Sequence, residues 1–218
     1  DSLFTATSAA CVTGLIVQDT ATYWTPFGQT VILLLIQVGG LGVVTMAAVA
    51  AFVTGRRIGL MQRSTMQEAI SAQQVGGIVR LTRFLVITTL IVEGIGALLL
   101  LPAFWHEFGF GRGLWYAVFH SISAFCNAGF DLMGRLEPYS SFTWFRDDWL
   151  VNLVLIALIL TGGIGFVVWS DLWDNRLHVK NWSLHTKLML AVTGLLTLVP
   201  FALFLISERN GAMAGLTG

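Results

Sequence analysis

Charge is the scarcest property of this 218-residue sequence: 11% of its residues are Asp, Glu, Lys or Arg, against roughly a quarter in an ordinary soluble domain. The charges also cancel, with 12 basic and 12 acidic residues. No polyanion-seeking field results, which argues against nucleic acid as a partner. Cysteine is nearly absent. The two present cannot build a disulfide framework and are too few for a structural zinc site. The sequence also has no GxSxG, HExxH or Walker loop, and His106, His120, His178 and His185 are scattered. The parts of an enzyme are therefore missing, and no covalent cofactor is expected.

Apolar residues are abundant: 56% of the chain is hydrophobic and the mean hydropathy is +0.77. Such a composition excludes disorder and speaks against a soluble enzyme. Eight Trp and fifteen Phe suit a chain with many membrane–water boundaries. A bilayer core is about 30 Å thick and takes about 20 helical residues to cross. Four stretches qualify: residues 27–54, 84–104, 149–169 and 187–206. All are free of acids except the second, which carries Glu93.

Basic residues give the orientation. Arg56, Arg57, Arg63, Arg80 and Arg83 lie between the first two spans, and Arg176, Lys180 and Lys187 between the last two. These eight of the twelve basic residues place both linkers on the cytoplasmic side. Residues 1–26 and 105–148 then face outward. The chain starts at Asp1-Ser2-Leu3 without an initiator Met, so a processed product or a piece of a longer polypeptide is expected.

Two further apolar stretches, residues 3–15 and 114–130, have helical parts of only about 8–12 residues, too short to cross. Both lie on the outer side, and both end in a Gly between apolar residues. A re-entrant helix that returns as extended chain fits them. Such chain is tolerated at membrane depth only inside protein or against a water-filled path. The two also match each other. Placing Phe4 on Phe119 brings Ser8 onto Ser123, Ala9 onto Ala124, Cys11 onto Cys126 and Gly14 onto Gly129, all at an offset of 115. Downstream, Gly39-Gly40-Leu41-Gly42 recurs as Gly162-Gly163-Ile164-Gly165, at an offset of 123. The repeat is parallel, because both copies enter from the same face. That argues against an aquaporin-like pore, and no Asn-Pro-Ala occurs.

A short helix pointing into the membrane brings the negative end of its dipole toward the centre, where it favours a cation. The residues that follow, Cys11-Val12-Thr13-Gly14 and Cys126-Asn127-Ala128-Gly129, contain no carboxylate. Backbone carbonyls would hold the ion, with the Thr13 hydroxyl or the Asn127 amide as side-chain candidates. Carbonyl rings suit a large, weakly hydrated monovalent cation better than Mg2+ or Ca2+. The glycine pairs serve either as small-residue helix contacts or as a bend below the loops. The cysteines are expected to be buried behind the loops and not joined in a disulfide. Glu93 is read either as a coupling acid or as a structural one paired with a helix outside this chain. Asp19 and Asp131 are read as cation-attracting residues of the outer mouth or as solvated loop acids. His120 is expected to be a packed polar residue.

The pair SAACVTGL and SAFCNAGF, each followed by a span with GG(L/I)G, resembles the Trk/Ktr/HKT superfamily of potassium transporters. The run from Gly55 to Leu60, with Glu68-Ala69 and Val79-Arg80-Leu81 after it, is most similar to the bacterial Ktr-type ion-translocating subunits. The resemblance implies an all-α integral membrane fold of parallel repeats, each an outer helix, a re-entrant pore loop and an inner helix. It implies that this chain holds about half of a four-repeat pore. Residues 1–26 would be the first pore helix, filter and outer loop, 27–55 the inner helix of repeat one, and 56–83 the cytoplasmic linker. Residues 84–148 would be the outer helix, pore helix and filter of repeat two, and 149–170 its inner helix. Residues 171–186 would form a second linker and 187–218 the outer helix of repeat three. Gly14 and Gly129 would be filter glycines, and potassium the transported ion. The implied partners are the rest of the same polypeptide, a second copy in a homodimer, a cytoplasmic ring of nucleotide-binding regulatory subunits, and the lipid of the cell membrane. Two rivals stand beside the pore: a potassium carrier coupled to sodium or protons through Glu93, and a non-conducting scaffold or sensor.

Overall fold

The computed structural model of the chain describes residues 1–42, 78–175 and 178–207, without the side chains of 78–82. All regular structure among the described residues is helical. In chain order the α-helices are α1 (Ser2–Ala10), α2 (Pro26–Leu41), α3 (Ile78–Phe108), α4 (Phe110–Phe125), α5 (Trp149–Gly163), α6 (Phe166–Asn175) and α7 (Leu184–Ser207). Short 3-10 turns occupy Met133–Arg135, Ser141–Phe145 and Val179–Asn181. Two helical stretches, Arg83–Phe108 and Leu184–Ser207, are long and apolar enough to cross a membrane. The all-α membrane class read from the sequence holds.

The chain divides into two compact units, Asp1–Gly163 and Ile164–Gly218. In the first, α3 and α4 form a hairpin joined by Gly109 alone, whose φ of 76° reverses the chain at once. Gly113 lets α4 lie against α3, since a Cβ there would stand 2.8 Å from the Phe104 carbonyl oxygen. Gly96 does the same further along, where a Cβ would stand 2.8 Å from Leu158 of α5. Small residues at such crossings bring backbones into van der Waals contact, the main adhesive between helices where lipid removes the hydrophobic drive. An aromatic cluster fills the end of the hairpin. Phe104 is fully buried, with the rings of His120 and Phe145 at 5.4 and 5.3 Å.

Two expectations need correction. Helix α4 starts at Phe110, earlier than the apolar stretch suggested, because Gly109 turns the chain directly out of α3. Its 16 residues still span only about 24 Å at 1.5 Å per residue, short of a full crossing. The predicted span 149–169 is interrupted. Helix α5 stops at Gly163, Gly165 takes a φ of 91°, and helix resumes at Phe166. Helix α2 likewise ends at Leu41, with Gly42 at a φ of 79°. Both helices thus terminate inside their GGxG, and the equivalent glycines Gly42 and Gly165 take positive φ. The remainder of the predicted first inner helix, the arginines at 56, 57 and 63, Arg176 and residues 208–218 lie outside the described residues, as does the Arg80 side chain.

In the second unit Asp171 ties α6 to the start of α7. One carboxylate oxygen accepts from the Ser183 N–H at 2.9 Å and from the Thr186 hydroxyl, and the other from Asn175 Nδ2 at 2.6 Å. Burial alone would raise its pKa, but the bonds from Thr186, Ser183 and Asn175 hold it down at about 2. The Ser183 hydroxyl caps α7 by accepting from the Thr186 N–H at 3.2 Å. Beyond that cap α7 presents Leu188, Leu195, Leu198 and Leu203 outward, an apolar surface suited to lipid or protein.

Candidate functional site

The segments that match at an offset of 115 also match bond for bond. After α1, the N–H groups of Cys11, Val12 and Thr13 donate to the carbonyls of Thr7, Ala9 and Ser8 at 2.8, 3.2 and 2.9 Å. After α4, those of Cys126, Asn127 and Ala128 donate to Ile122, Ala124 and Ser123 at 2.9, 3.0 and 2.8 Å. The last two bonds of each set form the crossed pair of a helix-ending motif with a left-handed residue just past the cap. That residue is Val12 in one copy and Asn127 in the other, both with a φ of 57°. Two positions on, Gly14 and Gly129 have φ values of 73° and 71°. Each loop is then tied back to its own helix: the Ser8 hydroxyl donates to the Leu15 carbonyl at 2.7 Å, and the Ser123 hydroxyl to the Phe130 carbonyl at 2.6 Å.

The glycine pairs seat these loops. A Cβ on Gly39 would collide with the Ala10 carbonyl oxygen, and one on Gly162 with that of Phe125. Ala10 and Phe125 are equivalent residues at the ends of α1 and α4. Gly40 reaches across to the other copy, where a Cβ would run into Cys126. The two loops also touch directly, for a Cβ on Gly14 would stand 2.6 Å from the Ala128 carbonyl oxygen. Both uses of glycine read from the sequence, close contact and helix bend, therefore coexist.

Glu93 is buried and finds its partner within the chain. Gln37 Nε2 of α2 donates to its two carboxylate oxygens at 3.0 and 3.2 Å. The Cys126 thiol faces one of them at 3.9 Å, and the Ser121 hydroxyl donates to the Glu93 backbone carbonyl at 2.7 Å. One residue of α3 thus joins α2, α4 and the second loop. The cysteines are free thiols of unlike exposure. Cys126 is buried under Gly40 and Glu93, whereas Cys11 is exposed, so the expected burial applies to the second copy alone. The Thr13 hydroxyl shares a 2.8 Å bond with Ser8 Oγ. The Asn127 amide borders a cavity of about 240 Å³ behind the second loop, with His120, Asp131 and Ser141.

The loops that follow the two matching segments are held by two side chains. His120 is buried as expected. Its Nδ1 donates to the Tyr116 carbonyl at 2.7 Å and its Nε2 accepts from the Leu132 N–H at 2.9 Å. Asp19 is no solvated acid: it is 6% exposed. One oxygen accepts from the N–H groups of Ala21 and Thr22 and the Thr22 hydroxyl, and the other from the Tyr139 N–H at 3.1 Å. The loop after the first segment is thereby pinned to the loop after the second. Asp131 accepts from the Met133 N–H at 2.9 Å, and burial pushes its carboxyl above the ordinary range. The sequence reading missed Gln37 and the ties of Ser8 and Ser123; only the repeat identity of the two serines signalled the latter. Among the described residues no group of three or more His, Cys, Asp or Glu could hold a metal ion. Backbone carbonyls dominate what the loops can offer a cation.

The profile of one family, TrkH, described as Cation transport protein, matches residues 1–208. The chain is 44% identical over 216 residues to Ktr system potassium uptake protein B of Bacillus subtilis, covering 99% of this chain and 47% of that protein. It is 40% identical over 213 residues to the potassium/sodium uptake protein NtpJ of Enterococcus hirae, covering 97% and 46%. Ktr system potassium uptake protein B of Vibrio alginolyticus is 41% identical over 211 residues, covering 96% and 45%. The chain spans about half the length of these relatives.

Proposed function

The chain belongs to the TrkH family of cation transport proteins, and we propose that it supplies about half of a potassium uptake pathway, two of four parallel repeats around one pore. The observation that carries this reading is the identity of the two loops. A sequence duplication alone could reflect packing, but the loops share each backbone bond and both positive-φ positions. Alternating backbone handedness at Val12-Thr13-Gly14 and Asn127-Ala128-Gly129 lets successive peptide groups turn to one side, which a carbonyl-lined filter needs. Helices α1 and α4 aim their negative dipole ends at these residues. In this reading the carbonyls from Cys11 to Gly14 and from Cys126 to Gly129 replace the water around the ion. The ion then passes down its electrochemical gradient.

The domain boundaries read from the sequence carry over as part of the proposal. The loops lie on the outer side of the cell membrane and the basic linkers in the cytoplasm, where a nucleotide-binding regulatory ring docks. The remaining repeats come from the same polypeptide, and the assembled pore pairs with a second copy. The relatives named as components of a Ktr system support a multi-subunit assembly. Glu93 acts as a positioning residue for the second filter segment, since Gln37 and Cys126 engage its side chain. The coupled-carrier reading has no such support. Asp19 and Asp131 shape the outer mouth, Asp19 through its bonds to both loops.

The test is rubidium tracer flux into liposomes holding the complete polypeptide, with and without excess sodium, beside Gly129→Ser. The sodium arm matters because one relative is named for potassium and sodium together. Flux that potassium blocks, sodium leaves alone and Gly129→Ser shifts toward sodium is expected. A folded, assembled protein that conducts nothing, with or without cytoplasmic partners, would return the scaffold reading.

A further inference from the structure

Away from the loops, a cavity of about 310 Å³ opens between the start of α2 and the start of α4, lined by Pro26, Thr30, Arg112, Trp115, Tyr116 and Arg135 among others. Its two arginines come from different segments, the first turn of α4 and the 3-10 turn Met133–Arg135. Both lie near enough to the Tyr116 hydroxyl to act on it electrostatically. Among the described residues neither arginine is in an ion pair; the ion pair there is Arg146–Asp147. The nearby carboxylates are otherwise engaged. Asp19, which also acts on Tyr116, accepts four hydrogen bonds, and Asp131 is turned to Met133.

Two exposed arginines therefore line one opening, in a chain that has few charges to spare. Their planar guanidinium forks match phosphate oxygens. Pro26 opens the 16-residue helix α2, so a positive helix-dipole end faces the same opening. The Trp115 indole N–H is taken by Gln29 Oε1 at 3.1 Å, leaving that ring as an apolar wall. Tyr23 just before α2, Phe110 at the start of α4 and Trp105 near the end of α3 are all exposed, the residue types that gather at headgroup level. From Thr30 the exposed face of α2 continues through Val31 and Leu34 at helical spacing. A phosphate bound at the arginines thus has an apolar track beginning beside it. A free anion has no use for that track; an acyl chain does.

We propose that this cavity binds the phosphodiester headgroup of an anionic phospholipid from the outer leaflet. Arg112 and Arg135 clamp the phosphate oxygens, the Tyr116 hydroxyl adds a contact, and an acyl chain follows Val31 and Leu34. Binding itself does not depend on the transport reading; an effect on flux does, because the lipid would cancel positive charge near a cation's route. The experiment uses the full-length polypeptide in detergent, titrated with dioctanoyl-phosphatidylglycerol, dioctanoyl-phosphatidylcholine or inorganic phosphate, with binding read by native mass spectrometry. Saturable phosphatidylglycerol binding is expected. It should weaken about tenfold or more in Arg112→Gln/Arg135→Gln, the scale of one lost charged hydrogen bond. Arg146→Gln should leave it unchanged. Should the double Gln variant fail to fold, Arg112→Lys/Arg135→Lys keeps the charge, removes the forks and should weaken binding several-fold. Equal binding in wild type and in the folded arginine variants overturns the site. Equal binding of the two lipids overturns its preference for anionic lipid, and inorganic phosphate binding as tightly as phosphatidylglycerol overturns the lipid assignment. Loss of lipid binding with rubidium flux intact leaves the transport reading standing, and intact binding with no flux does the opposite.

Discussion

Gly14 and Gly129 meet backbone to backbone, but not symmetrically. A Cβ on Gly14 would stand 3.2 Å from the Gly129 Cα and 2.6 Å from the Ala128 carbonyl oxygen, whereas one on Gly129 would meet only the Gly14 Cα, at 3.4 Å. Both residues have positive φ, so any side chain costs roughly 1–2 kcal/mol of strain at either. Only at Gly14 does it also displace a carbonyl of the other loop. Gly14→Ala should therefore disturb rubidium-over-sodium selectivity more than Gly129→Ala, although both should destabilise. Selectivity measured on folded samples of both variants decides it, and the reverse ranking would mean that the loops meet differently.

The glycine pairs give a second ranking. At Gly39 and Gly162 a Cβ collides with the last carbonyl of a short helix, while at Gly163 its nearest neighbour is Asn127 Nδ2, 3.8 Å away. Gly39→Ala and Gly162→Ala should each lower the thermal midpoint. Gly163→Ala should be neutral or slightly stabilising, because Ala favours the helix by up to about 1 kcal/mol over Gly. Thermal melts of the three variants of the complete polypeptide test this. A destabilising Gly163→Ala would point to a bend requirement and away from close contact.

How much of this was legible beforehand follows from range. The loops repeat in sequence, so Cys11 to Gly14 and Cys126 to Gly129 could be singled out together, and the GGxG pairs marked where α2 and α5 end. Composition gave the membrane class because a crossing helix has to be apolar along its length. Pairings across the fold left no trace. Nothing local says that Gln37 lies beside Glu93, 56 positions on, or that Asp19 reaches Tyr139. The exposure of Cys11 was equally hidden, since equivalent sequence positions acquire different neighbours: Gly40 covers Cys126 and makes no such contact with Cys11.

The left-handed position shows the same asymmetry within the repeat. Val12 and Asn127 share a φ of 57°, yet a β-branched residue is a poor occupant of that region and Asn a good one. Val12→Asn should raise stability by about 1 kcal/mol, and Asn127→Val should lower it by a similar amount. Val12 also approaches Gly39, a Cβ on that glycine standing 2.8 Å from Val12 Cγ2. If Val12→Asn stabilises but alters selectivity, the strain at Val12 serves the loop's conformation.

In the second unit Asp171 makes stability depend on acid. Its pKa is held at about 2, below an ordinary value of 3.8, so the carboxylate's contribution is fully present above the ordinary value. It is lost as the pH falls from there through about 2. Asp171→Asn should lower the thermal midpoint at neutral pH and reduce its decline over that acid interval. A parallel acid decline in both proteins would assign the loss to other carboxylates.

Glu93 separates positioning from coupling. Gln is nearly the same size and its carbonyl can still accept from Gln37 Nε2, so Glu93→Gln keeps much of what joins α2 to α3. Ala keeps none of it and leaves the Gln37 amide without its acceptor in a part-buried place, a loss of about 1 kcal/mol or more before any cavity is counted. A positioning role therefore predicts graded damage: Glu93→Gln retains rubidium flux with a modest change in selectivity, while Glu93→Ala loses both selectivity and thermal stability. A coupling role predicts that Glu93→Gln alone abolishes accumulation, since an amide cannot take up and release a proton or bind sodium as a carboxylate does. Measuring flux with and without imposed sodium and proton gradients in the two variants distinguishes them. The graded outcome is expected because the Gln37 amide and the Cys126 thiol engage the Glu93 side chain, and a carboxylate so engaged is better placed to hold a loop than to exchange its cargo.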